Sequence, residues 1–161
     1  MDEIKANYDV LIDYNMFWGP DKLRFATFPM SEHAEIHFME VKRIFVIMQF
    51  ASIGSLLLLI PGMIYAKKHQ ITAWPKATAI LTVAVIAVVG FGLLFFWDET
   101  FVLFHKIMFN NDYWIFDWRT DPVILILPDE VFLVDAACIL GAMGLGLLAA
   151  ILGFGKKKKH G

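Results

Sequence analysis

Two histidines, His37 and His105, are the residues of this sequence best suited to moving protons. Imidazole titrates near neutral pH, so one ring can accept a proton in one step and return it in the next. His33 and His37 stand at i,i+4 and Glu40 follows at i+3, a spacing that puts all three on one face of a helix. Three readings fit that face. It is a solvated polar stripe. It is part of a metal site, since histidines one turn apart can ligate zinc when further ligands converge, with His105 and nearby acids as the available companions. Or His37 works with His105 in acid–base catalysis.

His105 lies in the long segment WDETFVLFHKIMFNNDYWIFDWRTDPVILILPDEVF, which opens at Trp97. A plain connector would be short and polar. Here Phe101, Phe104, Met108 and Phe109 predict a helix lying in a membrane interface with its apolar side toward lipid. Trp97, Tyr113, Trp114 and Trp118 suit an aromatic belt, which accounts for the rings but not for Asn111, Asp112, Asp117 or Asp121. Asparagine amides make good oxyanion donors. Asp135, inside an apolar run, is costly unless paired. It can hold a histidine in one tautomer, as the third member of a triad does, or pair with a lysine or a helix end. Serine and cysteine nucleophiles are harder to find. Ser31 is placed to cap a helix, Ser52 and Ser55 fall inside an apolar run, and Cys138, the single cysteine, reads as a small buried packing residue. That pattern favours a reaction in which the substrate brings its own nucleophile.

The elements that must position these groups are membrane helices. Hydrophobic residues make up 58% of the 161 residues, and three runs reach the roughly 20 apolar residues a span requires. Spans are expected at 44–66, 77–97 and 131–154, and helices are the natural form because they satisfy their own backbone hydrogen bonds. The small-residue run from Gly141 to Gly146 predicts close packing against a neighbouring helix. Lys67, Lys68 and Lys76 crowd the short connection 67–76, and Lys156–Lys159 the tail 155–161, both free of acids. By the positive-inside rule these segments are cytoplasmic, which puts segment 1–43 and loop 98–130 outside. The expected architecture is an all-α membrane protein, a single domain of three spans beneath an extracytoplasmic cap built from 1–43 and 98–130. In that cap, Glu3–Tyr14 forms an amphipathic helix with Ile4, Tyr8, Leu11 and Ile12 on one side. Ser31 caps a second helix that runs unbroken from Glu32 into the first span. Segment 1–43 has no apolar core of its own, so a further span ahead of it is expected. With a net charge of −2 and no nucleotide-binding or CxxC motif, neither nucleic acid nor a redox couple is indicated.

The segments SEHAEIHFMEVKRIF and FHKIMFNNDYWIFDWRTDPVILILPDEVF resemble the lipoprotein intramolecular transacylases, Lit, and EIKANYDVLIDYN is similar to that family's segment after its first span. The likeness is carried by Glu35-Ile36-His37 before Val41-Lys42, then Phe104-His105, Asn111, Trp114, Phe116-Asp117, Asp121-Pro122 and Leu127-Pro128-Asp129. The resemblance implies a cell-membrane acyltransferase of Gram-positive bacteria whose partners are diacylglyceryl-modified lipoproteins and membrane lipid. It would move an acyl chain from the glyceryl group on a lipoprotein's N-terminal cysteine to that cysteine's α-amine, leaving a lyso-form product. It implies His37 and His105 as the catalytic pair; Glu40, Asn111, Asp112, Trp114, Asp117, Asp121 and Asp135 are the candidates for supporting roles, and neither a cofactor nor a metal is expected. The rival readings are a non-enzymatic membrane assembly or lipid-binding protein and a metal-dependent membrane hydrolase.

Overall fold

The computed structural model describes residues 2–71 and 74–154. The tail lysines Lys156–Lys159 lie outside the described residues, as does the side chain of Lys76. The described residues fold into five α-helices: α1 (Asp2–Tyr14), α2 (Glu32–Lys68), α3 (Trp74–Phe95), α4 (Trp97–Met108) and α5 (Asp129–Phe154). A short 3₁₀ helix covers Pro122–Ile126, and there is no strand among the described residues. Three of the helices are long and apolar enough to cross a membrane. Their large apolar side chains, Leu57, Leu58, Ile80 and Leu145 among them, face outward and need an apolar surround.

The expected run of α2 from its cap into the first span is found. Ala34 donates its amide to Ser31 Oγ at 3.1 Å, and Glu32 and Glu35 occupy the first turn, where the helix dipole favours acids. At 37 residues, α2 is about 55 Å long, well beyond the roughly 30 Å of a hydrocarbon core. Its polar end, from Glu32 to Arg43, is the surplus and stands clear of the apolar run. The second span ends two residues earlier than expected, at Phe95, because the helix breaks at Phe96 and α4 restarts at Trp97.

The chain divides into two compact units. One comprises Met1–Pro61 and Leu103–Pro128. Its core is built from Leu11, Tyr14, Leu23, Ala34, Phe38 and Val123, with Phe28, Phe116 and Leu127 packed on the margin. The buried face of α1 differs from the expected one. Asn7, Leu11 and Tyr14 turn inward, whereas Ile4 and Ile12 are exposed. Asn7 takes the inner position because every polar atom of its side chain finds a partner there. Its Nδ2 donates to Glu3 O and Thr27 Oγ1, at 2.9 and 2.8 Å, and its Oδ1 accepts from the Thr27 and Phe28 amides. A fully buried amide is tolerable only on such terms. Asp121, also buried, accepts the Ser31 amide at 2.6 Å and the Thr120 hydroxyl at 2.7 Å, tying the start of the 3₁₀ helix to the cap of α2.

The other unit comprises Gly62–Val102 and Asp129–Gly161, where α3 packs along α5. A Cβ on Gly90 would sit 3.7 Å from Leu140 Cδ1, so the two helices meet there. The expected packing of the small-residue run is not found among the described residues. Gly141, Gly144 and Gly146 face open space among the described residues, because α5 meets α3 through Leu140 and Leu147 instead. Gly92 does need its small size: a Cβ would lie 2.9 Å from Thr100 Oγ1, across the break between α3 and α4.

Candidate active site

The polar end of α2 and the segment from His105 to Phe116 build one site, wholly within the first unit. His37 is the second of three buried residues in α2's first two turns, between Ala34 and Phe38. The last turn of α4 carries His105, and Phe109 closes that turn by donating its amide to His105 O at 2.8 Å. The two imidazoles face each other with ring centroids 6.1 Å apart and planes inclined by 30°. Phe109 and Phe116 meet the His37 ring edge-on at 4.7 and 5.5 Å. Trp114 covers the His105 ring at 4.5 Å.

This aromatic shell sets the charge state of His37. Burial penalises the imidazolium, and the neighbouring charge of His105 adds to the effect, so His37 is pushed down to about 4. At neutral pH the ring is neutral. Its Nδ1 is buried without a hydrogen-bond partner among the described residues, which leaves it free to bond a reacting group.

The sequence candidates separate into groups. His37, His105 and Trp114 converge in ring contact. Glu40 and Asn111 join beside them: Asn111 Nδ2 donates to both carboxylate oxygens, at 3.1 and 3.2 Å. That contact ties Asn111 to the carboxylate of Glu40 and engages the amide expected to serve as an oxyanion donor. Its Oδ1 accepts the Tyr113 amide at 3.0 Å, and Tyr113 stacks on His33 at 4.3 Å. His33 is therefore exposed but not idle. Asp112 is exposed, and Asp117 is exposed in a forked pair with Arg119. Asp121 acts on the cap of α2, as described. Asp135 and Cys138 lie on α5, in the other unit, and both are exposed, so the expectation of a buried Cys138 fails. Among the described residues no three His, Cys, Asp or Glu side chains converge as metal ligands.

The sequence places neither Phe109 nor Phe116 against the imidazoles, although Phe116 belongs to the Phe116-Asp117 pair that carries the family likeness. Phe109 was expected on the lipid side of an interfacial helix, but it falls one residue past the end of α4 and is buried against both imidazoles. Phe104 and Met108 are exposed, as that reading expects. The only signal that singles out Phe109 is its place four residues after His105, on the same side of the closing turn.

An all-helical arrangement of the described residues, with three membrane-length helices and two imidazoles in ring contact, defines the class: a helical membrane protein carrying groups suited to proton transfer. The profile of "Lipoprotein intramolecular transacylase Lit" matches residues 1–132, and the chain belongs to that family of acyltransferases. The solved structure of the membrane integral lipoprotein intramolecular transacylase Lit from Bacillus cereus superposes with a TM-score of 0.88 at 36% identity, covering 95% of this chain and 71% of that one. Two variants of the same protein, one with a histidine replaced by arginine and one by alanine, superpose with TM-scores of 0.78 at 35% and 36% identity. They too cover 95% of this chain, and 68% and 70% of theirs. The chain is thus an integral membrane protein. A comparison with curated protein sequences gives no match.

Proposed function

We propose that His37 and His105 carry out the transacylation between them, on a diacylglyceryl-modified lipoprotein held at the membrane surface. The observation that carries this reading is the neutral, buried His37 ring facing His105 at 6.1 Å. The substrate supplies both reactants. Its free α-amine attacks the carbonyl of an ester on its own glyceryl group, forming the C–N bond of an amide as the C–O bond of the ester breaks. One proton must leave the amine and one must reach the departing glyceryl oxygen. A neutral His37 suits the first task, and His105, at the edge of the shell, suits the second. Amine and ester sit in one molecule, so holding them together supplies much of the acceleration. The shell of Phe109, Phe116 and Trp114 keeps water from competing with the amine. Glu40, Asn111 and Trp114 position the pair, and no side-chain nucleophile and no metal enter the scheme.

The site would face outward, with segment 1–43 and loop 98–130 on the extracytoplasmic side and the lysine-bearing 67–76 connection inside. The metal-dependent hydrolase reading lacks a third ligand among the described residues. The test is mass spectrometry of a lipoprotein's N-terminal peptide after incubation with the chain. His37→Ala and His105→Ala should leave the diacylglyceryl form unchanged, while Cys138→Ala should yield the lyso form. Loss of activity in folded Cys138→Ala, with an acyl adduct on that sulfur, would replace the one-step route by a thioester intermediate.

A further inference from the structure

The turn that follows α1 carries a second feature, separate from the imidazole site. Gln49 is a polar side chain in the apolar run of α2, where an unpaired amide is costly. Its amide nitrogen donates to Asn15 O at 2.8 Å, and its oxygen accepts the Phe17 amide at 3.2 Å. The turn is thereby latched to the helix at Gln49. Two helical turns back, Lys42 donates to Gly19 O and Pro20 O, at 3.1 and 2.6 Å, and lies over the Tyr14 ring. The segment therefore lies alongside α2 from Lys42 to Gln49. Gln49 is five residues beyond Ile44, where the apolar run opens, and so roughly 7 Å below its edge. Interfacial elements bury their apolar faces to about that depth.

Non-helical backbone is tolerated there only if its polar groups are satisfied within the protein. The amides of Asn15, Met16, Phe17 and Gly19 meet that condition, as do the carbonyls of Asn15 and Met16. Asn15 donates its amide to Leu11 O and Ile12 O, Met16 to Asp13 O, Phe17 to Gln49 and Gly19 to Met16 O. Gly19 permits the tight path, since a Cβ would fall 2.1 Å from Asp13 O. The outward side is apolar. Trp18 is 68% exposed, and its ring meets Phe17 edge-on at 4.5 Å, while Phe17 packs on Phe50 of α2 at 5.3 Å. Phe50 belongs to the lipid-facing surface of the span, so the cluster continues that surface onto the turn.

We propose that residues 15–18 form an aromatic hook inserted among the bilayer's acyl chains, with Gln49 as its latch. The occupant of the Phe17–Trp18–Phe50 surface is membrane lipid, and the hook gives the turn after α1 a lipid contact of its own beside α2. The test uses the full chain in phosphatidylglycerol–phosphatidylcholine vesicles, in a Cys138→Ala background with a nitroxide on Trp18→Cys. Power saturation should show ready collision with oxygen and exclusion of a water-soluble nickel chelate. Access by the nickel chelate would place the turn in water and overturn the proposal. Exclusion of both reagents would mean that protein covers the surface, which overturns it equally. Gln49→Leu should release the label toward the chelate. A chain without the nitroxide gives an independent readout: brominated lipids should quench tryptophan fluorescence, and Trp18→Phe should remove a distinct share of that quenching. Unchanged quenching in Trp18→Phe would also overturn the hook. Neither readout depends on transacylation.

Discussion

Asn111 straddles the carboxylate of Glu40, giving one amide nitrogen to both of its oxygens at 3.1 and 3.2 Å. The two residues lie 71 positions apart, so this contact fixes the loop after α4 against the polar end of α2. Trp114 follows three residues later and rests on His105. The clamp therefore sets the position of the ring that covers one imidazole. Asn111→Ala should lower kcat about tenfold, equivalent to about 1.4 kcal/mol. Asn111→Asp should be worse, because two carboxylates would then face each other. Glu40→Gln, which keeps an acceptor, should retain more activity than Glu40→Ala. Rates on a synthetic diacylglyceryl lipopeptide decide it, and an Asn111→Asp enzyme as fast as the parent would remove the clamp from the account.

The neutral state of His37 has a pH signature. Its pKa is lowered to about 4 in the fold, by burial first and by His105 second, against about 6.5 for an unfolded imidazole. Between those values the unfolded chain binds a proton that the folded chain does not. The contribution of His37 is therefore fully present above about 6.5 and is lost as pH falls through that window toward about 4. Thermal unfolding in detergent should show a midpoint that drops over this range in the parent. In His37→Phe the drop should be smaller. Identical slopes in the two proteins would show that the ring is not held neutral.

Two buried side chains hold the cap of this unit together. Removing the Asp121 carboxylate leaves the Ser31 amide without its acceptor, and Asp121→Ala should cost about 1–3 kcal/mol. Asn7→Ala should cost a similar amount through Thr27 and Phe28. Thr120→Ala, which removes only the hydroxyl bonded to Asp121, should cost less than either. Denaturant titrations of the three variants, followed by near-ultraviolet circular dichroism, give the ranking directly.

The proposed orientation is open to labelling. In a Cys138→Ala background, a cysteine at Gln70 should resist an impermeant thiol reagent applied to intact cells, while one at Asn110 should react. The opposite pattern would turn the site to the cytoplasm and separate it from lipoproteins on the outer face.

Much of this architecture was legible in the residues, and the exceptions share a cause. Apolar length alone marks the spans, and Ser31 followed by Glu32 and Glu35 marks the start of α2, because both signals are local. The inward place of Asn7 on α1 is not legible, since periodicity sorts polar residues outward and cannot register that Thr27 and Phe28 supply partners from another segment. Phe109 was given to lipid for the matching reason. Ring chemistry does not distinguish a bilayer from an aromatic shell closed by distant residues. Asp121 and Asn111 stand out by type, yet their partners, Ser31 and Glu40, lie across the chain and decide what each one does.

Within the first unit, α2 from Glu32 to Pro61 carries an imidazole at one end and an apolar shaft below it, with no break between them. Such a rod behaves as a plumb line. Where the bilayer thickens, the shaft sinks and carries His37 down with it; where the bilayer thins, the ring rides higher. Each residue of helix amounts to about 1.5 Å of travel, comparable to the tolerance on which reactive geometry depends. Acyl chain length in the surrounding membrane then enters the chemistry twice, once as the group being moved and once as the setting of the height at which it is met.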